Sequence, residues 1–155
     1  MFGATHERRR LRESLSSPGM DFDPLSDYPL GSKRPDLVET PSGLSLDEVT
    51  LEAARDGTLV AADVRATPGT LRRQAAVARA AGRAPLAGNL ERAAELATVP
   101  DDQLLDIYTA LRPGRSTAAE LEAWAERLDE WGAEATAAFV REAAAAYVAR
   151  GLLLA

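Results

Sequence analysis

Alanine supplies 31 of the 71 apolar side chains in this chain of 155 residues, and that share limits what it can fold into. Leu, Ile, Val and Phe together make up about a fifth of the sequence, near the roughly 20% level at which a chain stops burying enough surface to fold alone. A thick, independent core is therefore not assured. Two solutions suit the composition: helices packed closely through alanine faces, or a subunit that completes its burial against a partner.

Absent residue types exclude several classes of chemistry. Without cysteine there is no disulfide framework, thiolate metal site or cysteine nucleophile. The single histidine, His6, sits in His6-Glu7-Arg8-Arg9-Arg10, where a zinc-protease helix needs a second histidine at the position held by Arg10. No segment offers an apolar run of about 18 residues for a membrane span, and the basic N-terminus lacks the apolar stretch of a signal peptide. The expectation is a cytoplasmic protein with no membrane partner.

Charge is distributed unevenly. Residues 1–20 hold four Arg and two Glu, whereas the remainder carries a net charge of −8 and brings the whole chain to −6. Arginine is dispersed and forms no basic stripe, so no nucleic-acid partner is expected.

The pattern of starts and stops is helical. Residues 1–25 read as a flexible extension, in which His6 to Leu15 could wind into a short amphipathic helix, although a disordered tail is favoured. Residues 26–155 read as the folded domain. Its first part is an extended arm broken by Pro29 and Pro35, which bias Tyr28 and Arg34 towards extended conformations. The large side chains of that arm either fold back on the body or lie across a partner.

Ser45-Leu46-Asp47-Glu48 is a capping box, predicting a helix to about Arg55. Thr67-Pro68 opens a second helix, which ends on Gly82. From Pro85 to Ala97, Leu86, Leu90, Ala93, Ala94 and Ala97 share one face. Pro100 starts a fourth helix with Asp101 and Asp102 in its first turn and a buried stripe of Leu104, Ile107, Tyr108 and Leu111. Thr117 to Glu120 is a second capping box, followed by Leu121, Trp124, Ala125 and Leu128 on one face and a break at Gly132. The last helix, Ala133 to Arg150, is apolar on most sides and must be covered on most sides. The fold class is all-α: about six helices in a compact bundle, preceded by the extended N-terminal arm.

No constellation of catalytic groups emerges. Asp101 and Asp102 project about 100° apart on a helix and do not converge on a substrate. Glu122, Glu126, Asp129 and Glu130 read as a solvated acidic face, and Ser116 and Thr117 have no base to activate them. No glycine-rich phosphate loop is present. No catalytic, cofactor-binding or metal-binding residue is expected on this chain. Arg65, Arg92, Arg112 and Arg115 flank helix ends or turns, where a guanidinium locks a turn or meets a neighbouring subunit.

Several segments, in order, resemble the small (gamma) subunit of adenosylcobalamin-dependent diol and glycerol dehydratases. They are Ser26-Asp27-Tyr28-Pro29-Leu30, the run from Asp63 to Arg72, Asn89-Leu90-Glu91-Arg92 with the following Ala93 to Leu96, and Val99-Pro100-Asp101-Asp102. Ile107 to Thr117 and Ala138 to Ala144 extend the similarity, which covers about residues 26–150. Thr67-Pro68, Glu91 and the extension before Asp27 resemble the diol branch.

The resemblance implies a heterohexamer with two copies each of large (alpha), medium (beta) and small subunits. Adenosylcobalamin lies between the large and medium subunits, and this chain packs on the large one without supplying a catalytic group. It further implies a hydro-lyase that turns propane-1,2-diol into propanal and water, also acting on glycerol in some members. Packaging in a protein-shelled bacterial microcompartment is associated with related N-terminal extensions. Tyr28, Leu30, Arg65, Arg92, Arg112 and Arg115 are the residues expected at, or supporting, the subunit interface. Two competing classes are a free-standing helical adaptor that kept the fold and lost the complex, and an enzyme in its own right. The last would need a site built from carboxylates and arginines alone.

Overall fold

The computed structural model describes residues 22–154. The helices are α1 (Leu30–Lys33), α2 (Leu51–Asp56), α3 (Pro68–Ala80), α4 (Ala84–Leu96), α5 (Asp101–Ala110), α6 (Ala118–Glu130) and α7 (Glu134–Arg150). Among the described residues the only strand-like feature is an isolated bridge between Glu39 and Ser45. The segment His6 to Leu15, with His6 itself, lies outside the described residues.

Two helical hairpins, α3–α4 and α6–α7, form the body, with α5 joining them and α4 packed on α7. Both hairpins reverse through the same device. At the first, the Arg83 amide donates to the Ala78 carbonyl at 2.8 Å and the Gly82 amide to the Arg79 carbonyl at 3.0 Å. At the second, Ala133 donates to Leu128 at 2.8 Å and Gly132 to Asp129 at 2.9 Å. This is the Schellman pattern, and it needs a left-handed residue at the turn. Gly82 and Gly132 both adopt φ of +73°, a conformation a side chain disfavours.

Such tight reversals bring each helix pair together along small residues. Ala75, Ala78 and Ala87 are buried between α3 and α4, with Leu90 against them. Ala125, Ala133 and Ala137 do the same between α6 and α7, where Ile107, Leu121, Leu128 and Val140 complete the larger core. An ion pair bridges the outer edge of each hairpin: Arg79 with Glu91, and Arg141 with both Glu122 and Asp129 at 2.8 Å. The alanine-faced packing expected from composition is thus the way this chain builds its interior.

The capping signals at Thr67 and Thr117 work as read, each hydroxyl accepting from the amide three residues on, at 3.2 and 3.3 Å. Ser45 does not start a long helix. Glu48 reaches back to the Ser45 amide at 2.8 Å, but the Glu48 amide donates to the Ser45 carbonyl, which closes only a 3-10 turn over Leu46–Glu48. Thr50 then caps α2 by accepting from Ala53 at 3.1 Å, so the helix begins at Leu51, six residues after Ser45.

Two expected faces are rotated, and a third is only partly covered. Ile107 takes the core position on α5 at 3% exposure, and Tyr108, about 100° away, turns out to 61% exposure beside Leu105. On α4 the buried stripe is Ala87, Leu90 and Ala94, which leaves Leu86 and Ala97 exposed. On α7 only Thr136, Ala137 and Val140 are buried, so the cover its apolar circumference requires is incomplete within this chain.

The arm is less extended than expected. Lys33 and Arg34 close α1 by donating to Pro29 and Leu30, and Pro35–Leu37 forms a 3-10 turn. It folds back on the body: Arg73 of α3 donates to the Leu37 carbonyl at 2.7 Å. Asp63, buried at the foot of α3, accepts from the Ser42 amide at 3.1 Å and the Val60 amide at 3.0 Å. That carboxylate pins the Thr40–Leu44 turn to the residues preceding α3.

Candidate functional site

A chain of few large apolar residues leaves a surprising number of them in solvent. Leu25, Tyr28, Leu51, Val60, Val64, Leu105, Tyr108 and Val148 are each at least half exposed. Exposed apolar residues scattered singly are ordinary, but where they gather into one patch they mark a contact with another macromolecule. One such gathering lies where the arm crosses the α3–α4 hairpin. There Leu25, Tyr28, Leu30, Leu46 and Leu86 face an open groove of about 790 Å³.

The six residues expected at an interface fall into two groups. Tyr28, joined to Pro29 by a cis peptide bond, and Leu30, the first residue of α1, line that groove. None of the four arginines lines that groove, although Arg65 borders an adjoining pocket that shares Val38, Leu46 and Thr70 with it. Arg65 pairs with Asp101 at 2.9 Å across exposed surface, tying the approach to α3 to the start of α5. Arg92 stands 4.7 Å from the centre of the Phe139 ring and also bonds Asn89, so it covers part of α7's uncovered side. Arg112 and Arg115, after α5, are exposed, and neither guanidinium bonds another described residue.

Leu25, Leu46 and Leu86 are not among the interface residues expected from sequence. The sequence pattern places Leu86 on the buried face of α4, and the structure buries Ala87 and Ala94 instead. Leu105 is a further omission, exposed beside Tyr108 on α5.

Several carboxylates make structural contacts. Asp101 and Asp102 occupy the first turn of α5, where they oppose the positive end of its dipole. Glu122 and Asp129 hold Arg141, raising its pKa further, while Glu126 and Glu130 remain exposed. The Thr117 amide and hydroxyl hold the Glu120 carboxyl below its ordinary value. Ser45, through its hydroxyl and then its amide, does the same to Glu48. Ser116 is buried, and its carbonyl accepts from Leu154 at 2.9 Å, so its position belongs to the docking of the C-terminal residues. Among the described residues no three His, Cys, Asp or Glu side chains form a group able to hold a metal ion. No described helix is long and apolar enough to cross a membrane.

The sequence also matches known proteins over this same body. The model of the dehydratase small subunit family matches residues 24–154. A propanediol dehydratase small subunit of Salmonella typhimurium (strain LT2) is 54% identical over 127 residues, covering 81% of this chain and 73% of that protein. A propanediol dehydratase small subunit of Citrobacter freundii is also 54% identical over 127 residues, covering 81% of this chain and 74% of its own length. With a family match spanning the whole helical body and relatives of this identity, the chain belongs to the dehydratase small subunit family.

Proposed function

We propose that this chain is the non-catalytic small subunit of an adenosylcobalamin-dependent diol dehydratase, which converts propane-1,2-diol to propanal and water. Its task is to hold the large catalytic subunit in an active complex of large, medium and small subunits, two copies of each. The observation that carries the proposal is the 54% identity to propanediol dehydratase small subunits. The exposed apolar surface supports it, because burial left incomplete in one chain is completed by association.

Within the proposal, Tyr28, Leu30, Arg112 and Arg115 contact a partner, and Arg65 and Arg92 support the contact from behind. Residues 1–25 stand outside the subunit domain. Residues 22–154 contain no His or Cys, so they offer cobalt neither an imidazole nor a thiolate ligand. On the family resemblance, the cofactor is assigned to the large and medium subunits. The complex works in the cytoplasm, free or enclosed in a microcompartment.

The proposal is tested by co-expressing the chain with the large and medium dehydratase subunits of the same genome and purifying through a tag on the large one. Recovery of all three in constant ratio through size exclusion is the expected result. A small chain that elutes alone would return the fold to the adaptor reading.

A further inference from the structure

The groove between the arm and the α3–α4 hairpin has a charge pattern that its apolar walls do not explain. Leu25 is 76% exposed there, Tyr28 56%, Leu86 43% and Leu46 38%. Two cations, Arg73 and Arg83, also line it, and among the described residues no Asp or Glu does, in a chain with 24 acidic residues. Arg73 spends one N–H on the Leu37 carbonyl, while its Nε is buried without an acceptor. Arg83 is exposed, and its guanidinium bonds no other described residue. The nearby carboxylate of Asp36 is taken by Arg34 at 2.8 Å. A guanidinium beside apolar surface is stabilised most by a carboxylate that arrives with the surface's own cover.

We infer that this groove docks an apolar segment of another dehydratase subunit that carries a carboxylate, with Leu25, Tyr28 and Leu86 receiving its apolar side chains and Arg83 and Arg73 its charge. The inference rests on the subunit reading and adds to it the place and chemistry of the contact. Charge argues against the chain's own N-terminal segment as the occupant, since residues 1–20 hold four Arg and two Glu and would meet the groove's cations with like charge. Tyr and Arg side by side in a concave apolar setting is also the composition in which binding energy concentrates.

The test uses the full chain co-expressed with the large and medium subunits, purified through a tag on the large one. Arg83→Glu and Leu25→Asp alter exposed side chains, so helical circular dichroism and melting of each variant should match the unaltered chain. Each is expected to lower recovery of the small chain about tenfold or more, the loss that follows from removing one anchor of about 1.4 kcal/mol. Arg83→Lys should retain most of it, and Glu126→Arg, on the acidic face of α6, should retain all of it. Undiminished recovery of Arg83→Glu and Leu25→Asp would overturn the inference while leaving the subunit reading intact. Variants that lose self-association but still join the complex would overturn it in favour of a second copy as occupant. If the unaltered chain is not recovered at all, the subunit reading falls and this inference falls with it.

Discussion

Glu95 of α4 caps a helix to which it does not belong: its carboxylate accepts from the Thr136 amide at 2.8 Å, the Thr136 hydroxyl at 2.6 Å and the Ala135 amide at 3.0 Å. The residue preceding α7 is Ala133, which has no side-chain acceptor, so the first turn of α7 depends on this carboxylate from another helix. One side chain thereby satisfies orphan amides, complements the helix dipole and locks the two hairpins together. Glu95→Ala should cost about 1–2 kcal/mol and lower the melting temperature by about 3–6 °C in this size of domain. Calorimetry checks it, and a melting temperature unchanged from the original chain would show that water replaces the cap without loss.

The alanine seam makes a prediction opposite to ordinary core truncation. Ala125 is fully buried between α6 and α7, in one cluster with Leu121, Leu128 and Val140. Ala125→Leu should destabilise by about 1–3 kcal/mol or more despite adding apolar surface, whereas Ala149→Leu, on an exposed part of α7, should change little. Urea titration of both variants separates packing from hydrophobicity, and equal midpoints would contradict the close-packed seam.

Local grammar explains what was legible in the sequence. Thr67-Pro68, the Thr117–Glu120 box, Gly82 and Gly132 act within a single turn, and the structure uses each as read. Ser45 misleads because Thr50, five residues on, is itself a good N-cap and wins the start of α2. Tyr108 and Leu86 mislead because neighbouring residues compete for one face, and tertiary packing chooses Ile107 and Ala87. The Glu95 cap and the groove at Tyr28 have no local signature at all, since each joins residues distant in sequence. An interface, unlike a catalytic triad or a metal motif, leaves no fixed spacing to read.

Acid should loosen the arm at one place. The Ser42 hydroxyl, followed by the Val60 amide, holds the Asp63 carboxyl below its ordinary value of 3.8. A carboxyl lowered in the folded state lends stability that is fully present above the unfolded value and is lost as pH falls through the folded one. Melting temperature should therefore drop below about pH 4 with a steeper slope in the original chain than in Asp63→Asn, whose amide does not titrate. Thermal melts from about pH 6 to about pH 3 test this. Parallel slopes for the two proteins would show that Asp63 gains nothing from its bonds.

Arg112 and Arg115 separate stability from association. With no described partner for either guanidinium, the double substitution to Ala should shift the isolated chain's stability by no more than about 0.5 kcal/mol. It should nevertheless weaken recovery with the large subunit, because both arginines belong to the proposed contact. A clear loss of stability in the isolated chain would assign these arginines to its own fold.

The central claim is that this chain completes a diol dehydratase without performing its chemistry. Aldehyde formation from propane-1,2-diol with added adenosylcobalamin, measured on the large and medium subunits with and without this chain, tests it most directly. The account predicts stable activity only when all three chains are present, and none from this chain alone. Equal and equally durable activity without it would contradict the account.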